Sequence, residues 1–157
     1  MKTNMKFLVD SDGNKFWYNE NNQLHREGGP AVEWLNGCSM WYYNGYLHRV
    51  DGPAFELPSG SKFWYFRGSY HREDGPAIEY FDRSVKWYLN GNNMSKSKYF
   101  FRIRETITKK IGKEIAEMFE FDWKNHFKAI VLADYIEEQG DTKTANQIRN
   151  LIKFASC

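Results

Sequence analysis

The chain has 157 residues, with 22 Lys and Arg against 20 Asp and Glu, so its formal net charge of +2 does not by itself point to a polyanionic partner. Two cysteines, Cys38 and the terminal Cys157, exclude a disulfide-stapled scaffold and suit a reducing compartment. No apolar run approaches the ~20 residues of a membrane span, and the opening MKTNMKFLVDSDGNK lacks the apolar core of a secretory signal, so a cytoplasmic protein is expected.

From Lys15 to Asn93 the chain repeats itself. A Trp-Tyr pair recurs at Trp17-Tyr18, Trp41-Tyr42, Trp64-Tyr65 and Trp87-Tyr88, at spacings of 24, 23 and 23 residues. Three copies continue into His-Arg (His25-Arg26, His48-Arg49, His71-Arg72) and then Gly-Pro-Ala (Gly29 to Ala31, Gly52 to Ala54, Gly75 to Ala77). A fixed period of this length marks units too small to bury an apolar face alone, which must therefore stack on their neighbours.

Within a unit, Ala54-Phe55-Glu56-Leu57 alternates in polarity, as do Ala31 to Trp34 and Ala77 to Tyr80, which reads as a half-buried strand. Asn36-Gly37 and Ser59-Gly60 then signal a hairpin turn. Asp82-Arg83 lacks the glycine, so a different or looser turn is expected there. The return strand carries the Trp, and a second turn falls at Asn44-Gly45, Arg67-Gly68 and Asn90-Gly91. Pro30, Pro53 and Pro76 restart the cycle at a strand's first residue, where a missing N–H costs least. Residues 1–94 are thus expected to form an elongated antiparallel array of about four β-hairpin repeats.

The pattern Trp-Tyr-x-x-Gly-x-x-His-Arg-x-Asp-Gly-Pro-Ala resembles MORN (membrane occupation and recognition nexus) repeats, in a variant found in bacteriophage and large-virus proteins. The resemblance covers roughly residues 10–94. Copy one has an extra residue before His25 and no turn glycine, and copy four has Met94 in place of His, departures that suit terminal repeats. The resemblance implies an interaction module, in some members lipid-associated.

After Met94 the pattern turns helical. Ser95 or Ser97 is expected to cap a helix from about Lys98 that carries Phe100, Ile103, Ile107 and Ile111, with Ile115, Phe119 and Phe121 extending it. A second helix is expected from about Asp122 to Gln139, with Trp123, Phe127, Ile130, Val131 and Tyr135 on its apolar stripe. Gly140 then stops it, and Asp141 caps a third helix carrying Ala145, Ile148, Leu151 and Ile152. The segment LADYIEEQGDTKTANQIR resembles a Leu-Ala-Asp-Trp-Leu-Glu-Glu-x-Gly-Asp motif of short bacterial repeat-companion domains, which implies a helix-turn-helix and no chemistry. The whole is read as α+β, an array over 1–94 followed by an α-helical cap over 95–157 that covers the open end of the sheet.

Catalysis is not expected, because no nucleophile elbow, phosphate-cradling glycine loop or Cys-His pairing occurs. Nor is a metal or other cofactor. Equivalent histidines lie two strands apart, ~10 Å, too far to share one ion; each imidazole is expected to bond turn backbone instead. Arg26, Arg49 and Arg72 run in phase with Glu33, Glu56 and Glu79 and are expected to pair with them. Binding is assigned to two other features. Tyr43, Tyr46, Phe66 and Tyr70 crowd the second turn, as anchors for a protein or platforms for bases. A basic run includes Lys98, Arg102, Arg104, Lys109, Lys110 and Lys113.

The expected function is therefore non-enzymatic protein binding. The likeness to phage-borne variants extends it to a phage accessory protein that engages a host factor, a nuclease-type defence complex, and inhibits it. Nucleic-acid or nucleotide binding is the alternative, and association with anionic membrane surfaces a third and weaker one.

Overall fold

The computed structural model describes residues 5–112 and 126–155, so the readings on Ile115, Phe119, Phe121 and Trp123 fall outside it. The chain is α+β and divides into two compact units, Met1–Arg72 with Pro76–Asn93, and Glu73–Gly75 with Met94–Cys157.

The first unit is built of short antiparallel strands. They are β1 (Lys6–Val9) and β2 (Lys15–Tyr18); then β3 (Val32–Glu33), β4 (Ser39–Met40), β5 (Tyr42–Tyr43) and β6 (Tyr46–Leu47). Next come β7 (Phe55–Glu56), β8 (Lys62–Phe63), β9 (Tyr65–Phe66) and β10 (Ser69–Tyr70), and finally β11 (Ile78–Glu79), β12 (Val85–Leu89) and β13 (Asn92–Met94). Among the described residues these form a nine-stranded sheet ordered β1-β2-β3-β4-β7-β8-β11-β12-β13 and two ribbons, β5-β6 and β9-β10.

The ribbons leave the sheet because each tryptophan is a pivot. Trp41 donates its N–H to Ala54 O of the following unit (2.6 Å) and accepts from His48 N on its own hairpin (3.0 Å). Trp17 does the same with Ala31 and His25, and Trp64 with Ala77 and His71. The alanines are fully buried, beside Val32, Phe63 and Ile78. No Gly-Pro-Ala follows Trp87, and β12 runs through it unbroken; β2 also continues through Trp17, where β1 pairs with it through Phe7.

Four turns between strands of the nine-stranded sheet share one geometry, which the Asn19–Gln23 turn also adopts with Asn22 at φ 57°. Trp34 N–H bonds Cys38 O and Gly37 N–H bonds Trp34 O, and the same pair of bonds closes Asp10–Asn14, Leu57–Ser61 and Tyr80–Ser84. The fourth residue is left-handed in each: Gly13, Gly37, Gly60 and Arg83, at φ 83°, 87°, 92° and 69°. The expectation of a different turn at Asp82-Arg83 is therefore corrected. The sheet register imposes the left-handed conformation on an arginine that does not favour it.

In the second unit, α1 (Lys96–Ile111) begins one residue after Ser95, whose hydroxyl accepts Lys98 N–H at 3.3 Å. It buries Tyr99, Ile103 and Ile107, while Phe100 is half-buried. The helices α2 (His126–Glu138) and α3 (Thr142–Ala155) are joined at Gly140, with Asp141 N–H bonding back to Ile136 O. Asp141 caps α3 by accepting Thr144 N–H. The expected stripe of α2 needs correction: Ile130 and Val131 are exposed, and among the described side chains the buried ones are Ala129, Leu132, Ala133 and Ile136, Phe127 lying outside that set. Large side chains drew the reading to the wrong face, whereas two alanines let the helices approach closely. In α3, Ala145, Ile148 and Ile152 are buried as expected. Glu73–Gly75 belongs to this unit through specific bonds. Gly75 N–H reaches the buried Tyr99 hydroxyl, Gln147 donates to Glu73, and Asn150 donates to Asp74.

Candidate partner-binding groove

Each repeat uses its charged and imidazole groups internally. The guanidinium of Arg49 lies 3.8 Å over Trp41, donates to Pro53 O and pairs with Glu56. Arg26 and Arg72 do the same with Trp17, Pro30 and Glu33, and with Trp64, Pro76 and Glu79. The three histidines are likewise structural. His25 Nδ1 accepts Asn44 N–H (3.1 Å), His48 Nδ1 accepts Arg67 N–H (3.2 Å), and His71 Nδ1 accepts Asn90 N–H (3.0 Å). These bonds hold each turn against the hairpin before it, beside the bonds from Gly45, Gly68 and Gly91 N–H to Leu24, Leu47 and Tyr70 O. Among the described residues no three His, Cys, Asp or Glu are placed to hold a metal ion.

One group of exposed side chains gathers between the Asn44-Gly45 and Arg67-Gly68 turns. Tyr43, Asn44, Tyr46, His48, Phe66 and Arg67 line an open groove of about 600 Å³. Asn44-Gly45 and Arg67-Gly68 have positive φ at both central positions (48° and 81°; 50° and 79°), the type I′ hairpin geometry. Residues on either side of each turn therefore stand on the same short ribbon. Rings form a ladder, with His48 between Tyr43 (6.0 Å) and Phe66 (4.8 Å). Tyr43, Tyr46 and Phe66 remain 48 %, 60 % and 39 % exposed. Tyr46 leans over Gly68 so closely that a Cβ there would stand 3.2 Å from its ring. Burial, and then the charge of Arg67, hold the His48 imidazole below its usual pKa, so it stays neutral and able to accept.

The other candidates are placed elsewhere. Tyr70 is half-buried in a tyrosine row, 4.3 Å from Tyr65 and 5.1 Å from Tyr88. Burial and the bond with Tyr70 push the Tyr65 phenol up, out of the physiological range. The basic run does not form one surface. Lys98, Arg102 and Lys109 share a flank of α1 by their spacing of four and seven, but Glu105 falls among them, and Arg104 faces away. Lys110 is bound to Asp141 (2.9 Å) and to the Thr144 hydroxyl. Asp141's own hydrogen bond with the Thr144 side chain, and then that with the Lys110 ammonium, hold its carboxyl at about 2. Lys113 lies outside the described residues.

Asn44, His48 and Arg67 were not singled out as binding residues from the sequence. Arg67 carried a usable signal, since it stands where Asn44 and Asn90 stand in the neighbouring turns. Among the described residues no helix is long and apolar enough to cross a membrane. Comparison with known protein families, with curated proteins and with solved structures finds no match to this chain.

Proposed function

We propose that the chain is a non-catalytic docking module whose hairpin array presents the Tyr43/Tyr46/Phe66 groove to a partner protein. One observation carries this reading: three large aromatic rings stay exposed around a single groove whose walls are pinned by backbone and imidazole bonds. Rigid aromatic anchors lose little entropy on binding and concentrate interface energy. The likeness of the repeats to phage-borne variants supports a narrower form, in which the partner is a host defence complex. Residues 1–94 carry ten basic and eleven acidic groups, which favours occlusion of a protein surface over mimicry of DNA. Nucleic-acid binding through α1 is weakened by the capture of Lys110 and by Glu105 within the basic flank.

The test replaces groove residues by what the same array holds at equivalent positions. Tyr46→Ser copies Ser69 and Phe66→Leu copies Leu89, so both changes suit the fold. Proteins retained by the wild-type chain from a bacterial lysate, and lost with the double variant, support docking at the groove. An unchanged set of retained proteins refutes it.

A further inference from the structure

Two residues that break the repeat meet at this groove. The position after the turn glycine holds Tyr46, Ser69 and Asn92, and the first central turn position holds Asn44, Arg67 and Asn90. Asparagine tolerates positive φ; a long unbranched side chain does so less well, yet Arg67 sits at φ 50°. The fold does not require arginine there. The backbone bond to His48 is made equally well by Asn44 to His25 and by Asn90 to His71.

Nor does the hairpin use the side chain. Arg26, Arg49 and Arg72 are each consumed by a glutamate and a carbonyl. The Arg67 guanidinium, among the described residues, makes no ion pair or side-chain hydrogen bond; it lies 5.4 Å from the Phe66 ring and close enough to His48 for its charge to be felt there. None of the six lining residues is acidic. A cation at positive φ is thus held beside three exposed rings.

Resting on the docking reading above, we propose that the groove recognises an acidic segment of its partner protein, with a carboxylate on Arg67 and an adjoining aromatic side chain against Tyr43, Tyr46 and Phe66. A guanidinium takes a carboxylate through two parallel N–H bonds, and an aromatic neighbour covers the rings from water. Arg67 is the one cation among the six lining residues, which suits one carboxylate better than a phosphate chain, which needs several cations.

The test is a titration of the full ¹⁵N-labelled chain with acetyl-Gly-Asp-Phe-Asp-Gly-amide and with its counterpart bearing Asn for both Asp. The acidic peptide is expected to shift the amides of Asn44, Gly45, Arg67 and Gly68 and to bind about fivefold tighter than the amide form, the scale of an exposed ion pair. Arg67→Asn, which restores the residue of the neighbouring turns, should bring that ratio to about one. The inference is overturned if the ratio survives Arg67→Asn. It is equally overturned if neither peptide moves those amides at millimolar concentration, or if oligo-dT moves them and the peptides do not. Equal binding of both peptides, abolished by Tyr46→Ser, would sink the acid inference and leave docking standing.

Discussion

The imidazole of His48 accepts the backbone N–H of Arg67 across 19 residues of sequence, and it does so through Nδ1, the nitrogen that must be unprotonated. Because burial and Arg67 depress its folded pKa below the unfolded value of about 6.5, the unfolded chain binds the proton more readily. The contribution of this bond is full above that value and is lost as pH falls through the folded pKa. The groups facing the ring are Arg67, Tyr43 and Phe66, none of which offsets a positive imidazole. The melting temperature should fall on acidification from neutrality, and His48→Leu should be less stable at pH 7 but flatter across that window. An unchanged slope in the variant would show that the acid sensitivity arises elsewhere.

Gly52 is required by the arginine beneath it rather than by its own backbone. A Cβ at this position would stand 2.9 Å from Arg49 Cζ. A guanidinium is normally free to swing away, but this one is held by Trp41, Asp51, Pro53 and Glu56 together. Gly52→Ala should cost about 1–3 kcal/mol in urea denaturation. Arg49→Ala removes the obstacle and the contacts at once. The double variant should therefore be more stable than the sum of the two singles requires, by at least about 0.5 kcal/mol. Additive losses would mean that the two residues do not compete for space.

The repeated Trp-Tyr, His-Arg and Gly-Pro-Ala segments made the hairpins, the second turns, the arginine–glutamate pairs and the imidazole bonds legible before any coordinates. Each recurs with its partner at a fixed offset, so one copy checks another. Strand β1 was not legible. It occupies the place of Ala31-Val32-Glu33 but reads Phe7-Leu8-Val9, without the alanine and glutamate that mark the other copies. The buried face of α2 was hidden for a different reason: Ala129 and Ala133 pack closely because they are small, and small side chains add little to an apolar stripe. The groove was half legible. Its rings stand out by number, whereas His48 follows the repeat and only the turns packed side by side bring it and Arg67 to the groove.

Arg83 provides a test of strain at a site with no proposed role. It holds φ 69° where three other hairpins place glycine. Left-handed backbone costs an L-residue roughly 1–2 kcal/mol, and glycine gives back about 0.5–1 kcal/mol through the entropy of its unfolded state. Arg83→Gly should therefore be stabilising by about 0.5 kcal/mol, read as a higher urea midpoint at unchanged slope. A lower midpoint would mean that the arginine side chain contributes to the fold.

A hydrogen bond links successive hairpin turns at two places and is absent by composition at the third. Asn14 Oδ1 accepts Leu35 N–H at 2.9 Å, and Ser61 Oγ accepts Phe81 N–H at 3.1 Å. The equivalent pair between them is Cys38 and Pro58, a thiol that accepts weakly opposite a residue with no N–H to donate. The two substitutions therefore belong together. Pro58→Ala introduces a donor facing a poor acceptor and adds unfolded-state entropy, for a loss of about 1 kcal/mol. Cys38→Ser alone gains no donor to accept from and should lie within about 0.5 kcal/mol of wild type. With both changes the Ser61–Phe81 arrangement is recreated, and about 0.5–1 kcal/mol of the loss should return. A double-mutant cycle in urea measures that coupling directly; a value near zero would show that the turns meet there through packing alone.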